Sequence, residues 1–69
     1  MTNETISFDE FAERFGTNPS KMGGSYTQEE CDRANTLAWE ECAWIATLTF
    51  ARATQALDRA FQTINQERA

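Results

Sequence analysis

The chain has 69 residues, of which 41% are apolar and 25% charged, and its formal net charge is −5. That length makes one domain at most, with a core that is marginal unless a disulfide, a metal or a second subunit supports it. An acidic chain repels phosphate, which argues against direct nucleic-acid binding.

Two of those supports are weak here. The chain has no His and two cysteines, Cys31 and Cys42, that form no CxxC pair, so four short-spaced Zn ligands are lacking. On one helix these cysteines would lie roughly 16 Å apart, too far for a disulfide within the chain. Two buried thiols in a reducing cytoplasm are the simpler expectation, with a bridge between subunits as the alternative. Glu4, Asp9 and Glu10 interrupt the apolar run that a secretory signal requires. The longest charge-free stretch, Cys42 to Ala51, is ten residues, against about 20 for a membrane span.

The first helix start is Ser7-Phe8-Asp9-Glu10, which has the form of a capping box, with Ile6 and Phe11 placed as its hydrophobic staple. Phe8, Phe11 and Phe15 then share one face of a short helix. Glu10 and Arg14 have the spacing of a surface pair. Gly16 suits the end of that helix, with Asn18-Pro19 just beyond it. The remaining glycines and the single Pro fall between Thr17 and Ser25, which predicts a loop. Ser20, Lys21 and Gly23-Gly24 are loop residues, since no GxxxxGK[ST] pattern surrounds them.

Thr27-Gln28-Glu29-Glu30 repeats the capping box, with Tyr26 and Cys31 as its staple. No Gly or Pro follows to the end of the chain, and good helix formers dominate. The pattern predicts one helix from Gln28 to about Gln66, roughly 58 Å long. A compact chain of this size has a radius of gyration near 11 Å, too small to wrap such a helix. The weak point is Thr47-Leu48-Thr49, where β-branched residues lower helix propensity. A break there would give a three-helix bundle instead.

Trp39, Ala43, Ala46, Phe50, Ala53, Leu57, Ala60 and Ile64 recur at alternating steps of four and three, the spacing of a coiled-coil seam. Small and large members alternate, which lets two helices approach closely. An ordinary core stripe within one chain is the plain alternative, but the short first helix cannot cover so long a seam. A second stripe, Leu37, Trp44, Leu48 and Ala51, lies on another face, where the Phe8/Phe11/Phe15 face is the nearest cover. The expected fold is therefore all-α. A short N-terminal helix over 8–15, a loop over 17–25 and a long helix over 28–66 form one domain over 1–69, assembled as a helical-bundle homodimer.

Catalysis needs polar groups that converge. Glu40 and Glu41 are adjacent and diverge by about 100° on a helix. The other acid pairs are explained by helix starts, so no enzyme and no cofactor are expected. Charge is unevenly spread: nine acids against three bases up to Glu41, and two acids against three bases beyond it. The acidic half would be drawn to a basic surface. This points to an inhibitor of a host protein that handles nucleic acid, in the manner of phage anti-CRISPR and anti-restriction proteins. Its contacts would be Asp9, Glu13, Glu29, Glu30, Asp32, Glu40 and Glu41, although any one of these acids is explained as well by solvation of a helix start. Two alternatives stand beside it. Trp39, Trp44 and the phenylalanines would enter an apolar groove of a transcription regulator or motor subunit, for which an exposed Trp would be the sign. Or the chain is a structural or assembly subunit.

Overall fold

The computed structural model describes residues 6–68, and Glu4 lies outside them. The described residues form three helices: α1 (Phe8–Arg14), α2 (Gln28–Cys42) and α3 (Phe50–Arg68). The long helix expected from Gln28 to Gln66 is thus two helices that fold back on each other. The radius of gyration is 11.9 Å, close to the compact value rather than that of a rod.

Both helix starts are where the capping patterns placed them. Ser7 Oγ accepts the Glu10 N–H at 3.1 Å, but the Glu10 carboxylate turns to Arg14 at 3.1 Å instead of closing the box. At α2 the box is complete: Thr27 Oγ1 accepts the Glu30 N–H, and Glu30 Oε1 accepts the Thr27 N–H at 2.9 Å. Helix α1 ends on Phe15, and the Gly16 N–H reaches back to the Phe11 and Ala12 carbonyls. A Cβ on Gly16 would lie 2.3 Å from the Ala12 carbonyl oxygen. Close approach, not a left-handed backbone, is what requires glycine there. Gly23 and Gly24 do take positive φ, 65° and 80°, in the loop that returns the chain to α2.

The break has three local causes. Ile45, Thr47 and Thr49 are β-branched at every second position, which suits extended backbone better than helix. Glu40 and Glu41 sit in the last turn of α2, which holds no basic residue and so opposes the helix dipole. Thr49 is itself a cap: its Oγ1 accepts the Arg52 N–H at 3.2 Å and its carbonyl accepts the Ala53 N–H at 3.0 Å.

Folding back buries what the long helix left bare. Ile6, Phe11, Ala38, Cys42, Ala53 and Ala56 form one buried cluster. Cys31, Ala34, Ala60, Phe61 and Ile64 form another. Alanines on both α2 and α3 let the two backbones approach closely. Within the single chain, most of the stripe expected as a seam faces the core or its edge. Ala43, Ala53, Ala60 and Ile64 are buried, and Trp39 and Leu57 are half-buried. Ala46 and Phe50 are exposed. The first helix did not need to cover α3, because α2 does.

Asn35 fixes the loop to this pair. It is only 7% exposed, its Oδ1 accepts the Thr17 N–H at 2.9 Å and its Nδ2 donates to the Thr17 carbonyl at 3.1 Å. Helix α1 lies against α2 through Phe8, which meets Trp39 edge to face at 5.7 Å. Trp39 Nε1 donates to the Ile6 carbonyl at 2.9 Å. The aromatic face of α1 thus covers Trp39, not the expected Trp44.

Candidate functional site

The fold-back brings the acidic half of the chain against the half that carries Arg52, Arg59 and Arg68. Arg59 pairs with Glu41 at 2.7 Å and Arg68 with Glu30 at 2.9 Å. Arg33 on α2 pairs with Glu67 on α3 at 2.6 Å. All are partly exposed, so solvent screens them and each adds little to stability. Arg68 does more than pair: it lies over the Tyr26 ring at 4.8 Å and donates to the Ser25 carbonyl at 3.0 Å. Tyr26 in turn packs on Phe61 at 4.4 Å. The Thr27 backbone N–H bond, aided by the Arg68 charge, holds the Glu30 carboxyl below its ordinary value.

Of the seven candidate contact acids, Glu30 and Glu41 are therefore engaged within the chain. Asp9, Glu13, Glu29, Asp32 and Glu40 are exposed and make no ion pair with another described residue. Asp9 and Glu13 lie on α1; the other three lie on α2. Glu29, Asp32, Thr36 and Glu40 are spaced by three, four and four, so they line one outward face of α2. Their charges are uncancelled along that face.

This line runs into an aromatic end. Trp39, Glu40, Ala43 and Trp44 border a shallow groove of about 360 Å³. Trp44 is 63% exposed and Phe50 is 73% exposed, the large apolar side chains that stand out from the described surface. Trp44 lies in the turn 43–49 and Phe50 directly follows it, leaning on Phe15 at 6.5 Å between ring centres. Isolated surface apolar residues need no explanation, but Trp44 adjoins the groove that Trp39 also borders. A larger groove of about 450 Å³ lies between Glu29, Glu30, Arg33, Ile64, Glu67 and Arg68. Four of its charged walls are already tied to one another across α2 and α3, so it offers a ligand little free charge.

The thiols are a packing feature. Cys31 and Cys42 are free and buried. Burial pushes both above the ordinary thiol value, and the neighbouring acids add to the shift. A nucleophilic thiol needs the opposite environment. Among the described residues no cluster of three His, Cys, Asp or Glu is arranged to hold a metal. No described helix is long and apolar enough to cross a membrane.

Several of the contacts that organise this surface carried no strong sequence signal. Phe61, Ala56, Asn35 and the arginine pairings between α2 and α3 carry no such pattern. Phe61 follows Ala60 on the same stripe, so a wider stripe would have included it. Asn35 had no such signal, since a polar residue in mid-helix reads as surface. No protein-family model matches the chain, and neither a curated protein nor a solved structure is detectably similar to it.

Proposed function

We propose that this chain is a non-enzymatic protein-binding module that acts by occupying a surface of a larger host protein in the cytoplasm. The outward face of α2 makes the contact. Glu29, Asp32 and Glu40 supply the charge that draws in a basic partner surface, and Trp44 supplies the anchor. The observation that carries this reading is Trp44, 63% exposed, at the end of a line of acids that make no ion pair with another described residue. Proteins that hold single-stranded nucleic acid combine a positively charged groove with aromatic side chains, so an antagonist of such a protein is the favoured form of the proposal. Charge and aromatic recognition, which the sequence offered as alternatives, become two ends of one surface.

The test begins with a pull-down from the native host, followed by affinity measurements on the named partner across a salt series. Trp44→Ala should weaken binding by about tenfold or more at every salt concentration, the scale of an aromatic hot spot. Reversing Glu29, Asp32 and Glu40 together should weaken it mainly at low salt. Binding unchanged by both variants would sink the proposal.

A further inference from the structure

We propose that a second copy of this chain is also a partner, and that it docks by exchanging α3. Residues 43–49 open, α2 and α3 join into one helix, and each α3 packs on α2 of the partner subunit.

The turn is held by the Thr49 cap and favoured by its β-branched residues, but nothing in it forbids a helix. It contains neither Gly nor Pro, and no described residue other than glycine has positive φ. Ala43 already has helical angles, φ −62° and ψ −18°, and the Ile45 N–H already bonds back to the Cys42 carbonyl at 3.0 Å. Continuing the helix from there requires no residue to adopt a forbidden conformation. The three-four spacing also runs through the break, from Trp39 and Ala43 through Ala46 and Phe50 to Ala53.

The register of the hairpin says what such an exchange would bury. Glu41 faces Arg59 and Arg33 faces Glu67, so both pairs are centred on position 50. Glu30 with Arg68 is centred on position 49. An antiparallel exchanged pair that kept these contacts would have its two-fold axis at that point. Phe50 would then meet Phe50 of the partner subunit on the axis, with Ala46 close beside it. In the hairpin Phe50 is 73% exposed, because the start of α3 overhangs the end of α2. The exchange keeps the α2–α3 pairings, gives up the Thr49 cap, and adds this contact across a closed two-fold interface. A short turn gives the two halves of a hairpin an effective concentration of about 1 mM. An exchange with nothing to add would need chain concentrations of that order; burying the two Phe50 rings lowers the requirement.

Sedimentation up to about 1 mM chain should show a monomer–dimer equilibrium with the helical content retained or raised. In a Cys31→Ala/Cys42→Ala background, Arg33→Cys with Glu67→Cys joined by a short bis-maleimide should link two chains in the dimer fraction. Ala46→Gly with Thr47→Gly disfavours the continuous helix while suiting a turn, and should weaken the dimer by about tenfold or more. Phe50→Ser should weaken it without unfolding the monomer. If the cysteine-free background fails to fold, the glycine and serine variants still decide the matter in the native background. A monomer throughout, a dimer whose cross-link stays within one chain, or a dimer indifferent to the glycine pair would each overturn the exchange.

Discussion

Replacing Asn35 by Ala should destabilise the fold by about 2 kcal/mol, since each of its two hydrogen bonds contributes about 1 kcal/mol net. The side chain is 7% exposed and serves both the N–H and the carbonyl of Thr17, at 2.9 and 3.1 Å. Thr17 is half-buried, so water can reach its freed groups, and the cost stays near the net value rather than the full desolvation penalty. A domain of this size loses about 4–8 °C of melting temperature per kcal/mol, which predicts a fall of about 8–16 °C. Thermal unfolding followed by circular dichroism at 222 nm (the far-ultraviolet helix band, as for any helical protein) reads this directly. Asn35→Asp supplies a second arm. At neutral pH its carboxylate still accepts from the Thr17 N–H but faces the Thr17 carbonyl without a proton to donate. Acidification restores the donor, so the gap between this variant and the parent should narrow as pH falls. An Ala variant melting within about 2 °C of the parent, or an Asp variant whose deficit widens on acidification, would show that the clamp on Thr17 does not hold the loop.

Gly16→Ala should cost more than about 1 kcal/mol, since its Cβ meets backbone at 2.3 Å and a well-packed site yields poorly; denaturant titration with an unchanged slope checks it. Phe50→Glu should leave the monomer's melting temperature nearly unchanged because Phe50 is exposed, whereas Ile64→Glu should unfold the chain because Ile64 is buried; equal melting of the two would contradict the hairpin packing. Glu30 has a folded-state pKa below its ordinary value, so its contribution is complete above the ordinary carboxylate range and is lost as pH falls through the folded value. The parent should therefore lose more stability on acidification than Glu30→Gln, which starts without the charge. Reducing agent and a metal chelator should leave helicity unchanged, as expected for free, buried thiols; a large loss with either would reassign the cysteines.

Local signals in the sequence were legible where the physics is local. Ser7 and Thr27 cap as their side chains require, and the glycine-rich stretch is a loop. The stripe through Ala53, Ala60 and Ile64 was also visible, and those residues are buried. What covers the stripe was not visible. Periodicity reports that a face is apolar, not whether its cover comes from the same chain, and a stripe of constant spacing runs through the turn as if the helix did. The third cap, Thr49, escaped notice because Arg52 stands where a capping-box Glu would be, and only the Oγ1 half of the motif is present.

The charge asymmetry shows the same limit in another form. Counting residues correctly assigned the acids to the first half of the chain, but a count treats every acid as available. Once α3 folds back, Arg59 and Arg68 take up Glu41 and Glu30, the acids on the flank of α2 nearest to them. The acids that remain open are Glu29, Asp32 and Glu40 on α2, with Asp9 and Glu13 on α1. Intramolecular pairing thus leaves Glu29, Asp32 and Glu40 as one line along α2, with Asp9 and Glu13 apart on α1. That line has a direction, because it ends at Trp44 rather than fading into polar surface. A partner that reads it must present basic groups along about one helix face, with an apolar recess placed beyond the Glu40 end. Reversing Glu41 should accordingly disturb the hairpin more than the complex, and reversing Glu40 the complex more than the hairpin, although the two residues are neighbours in sequence.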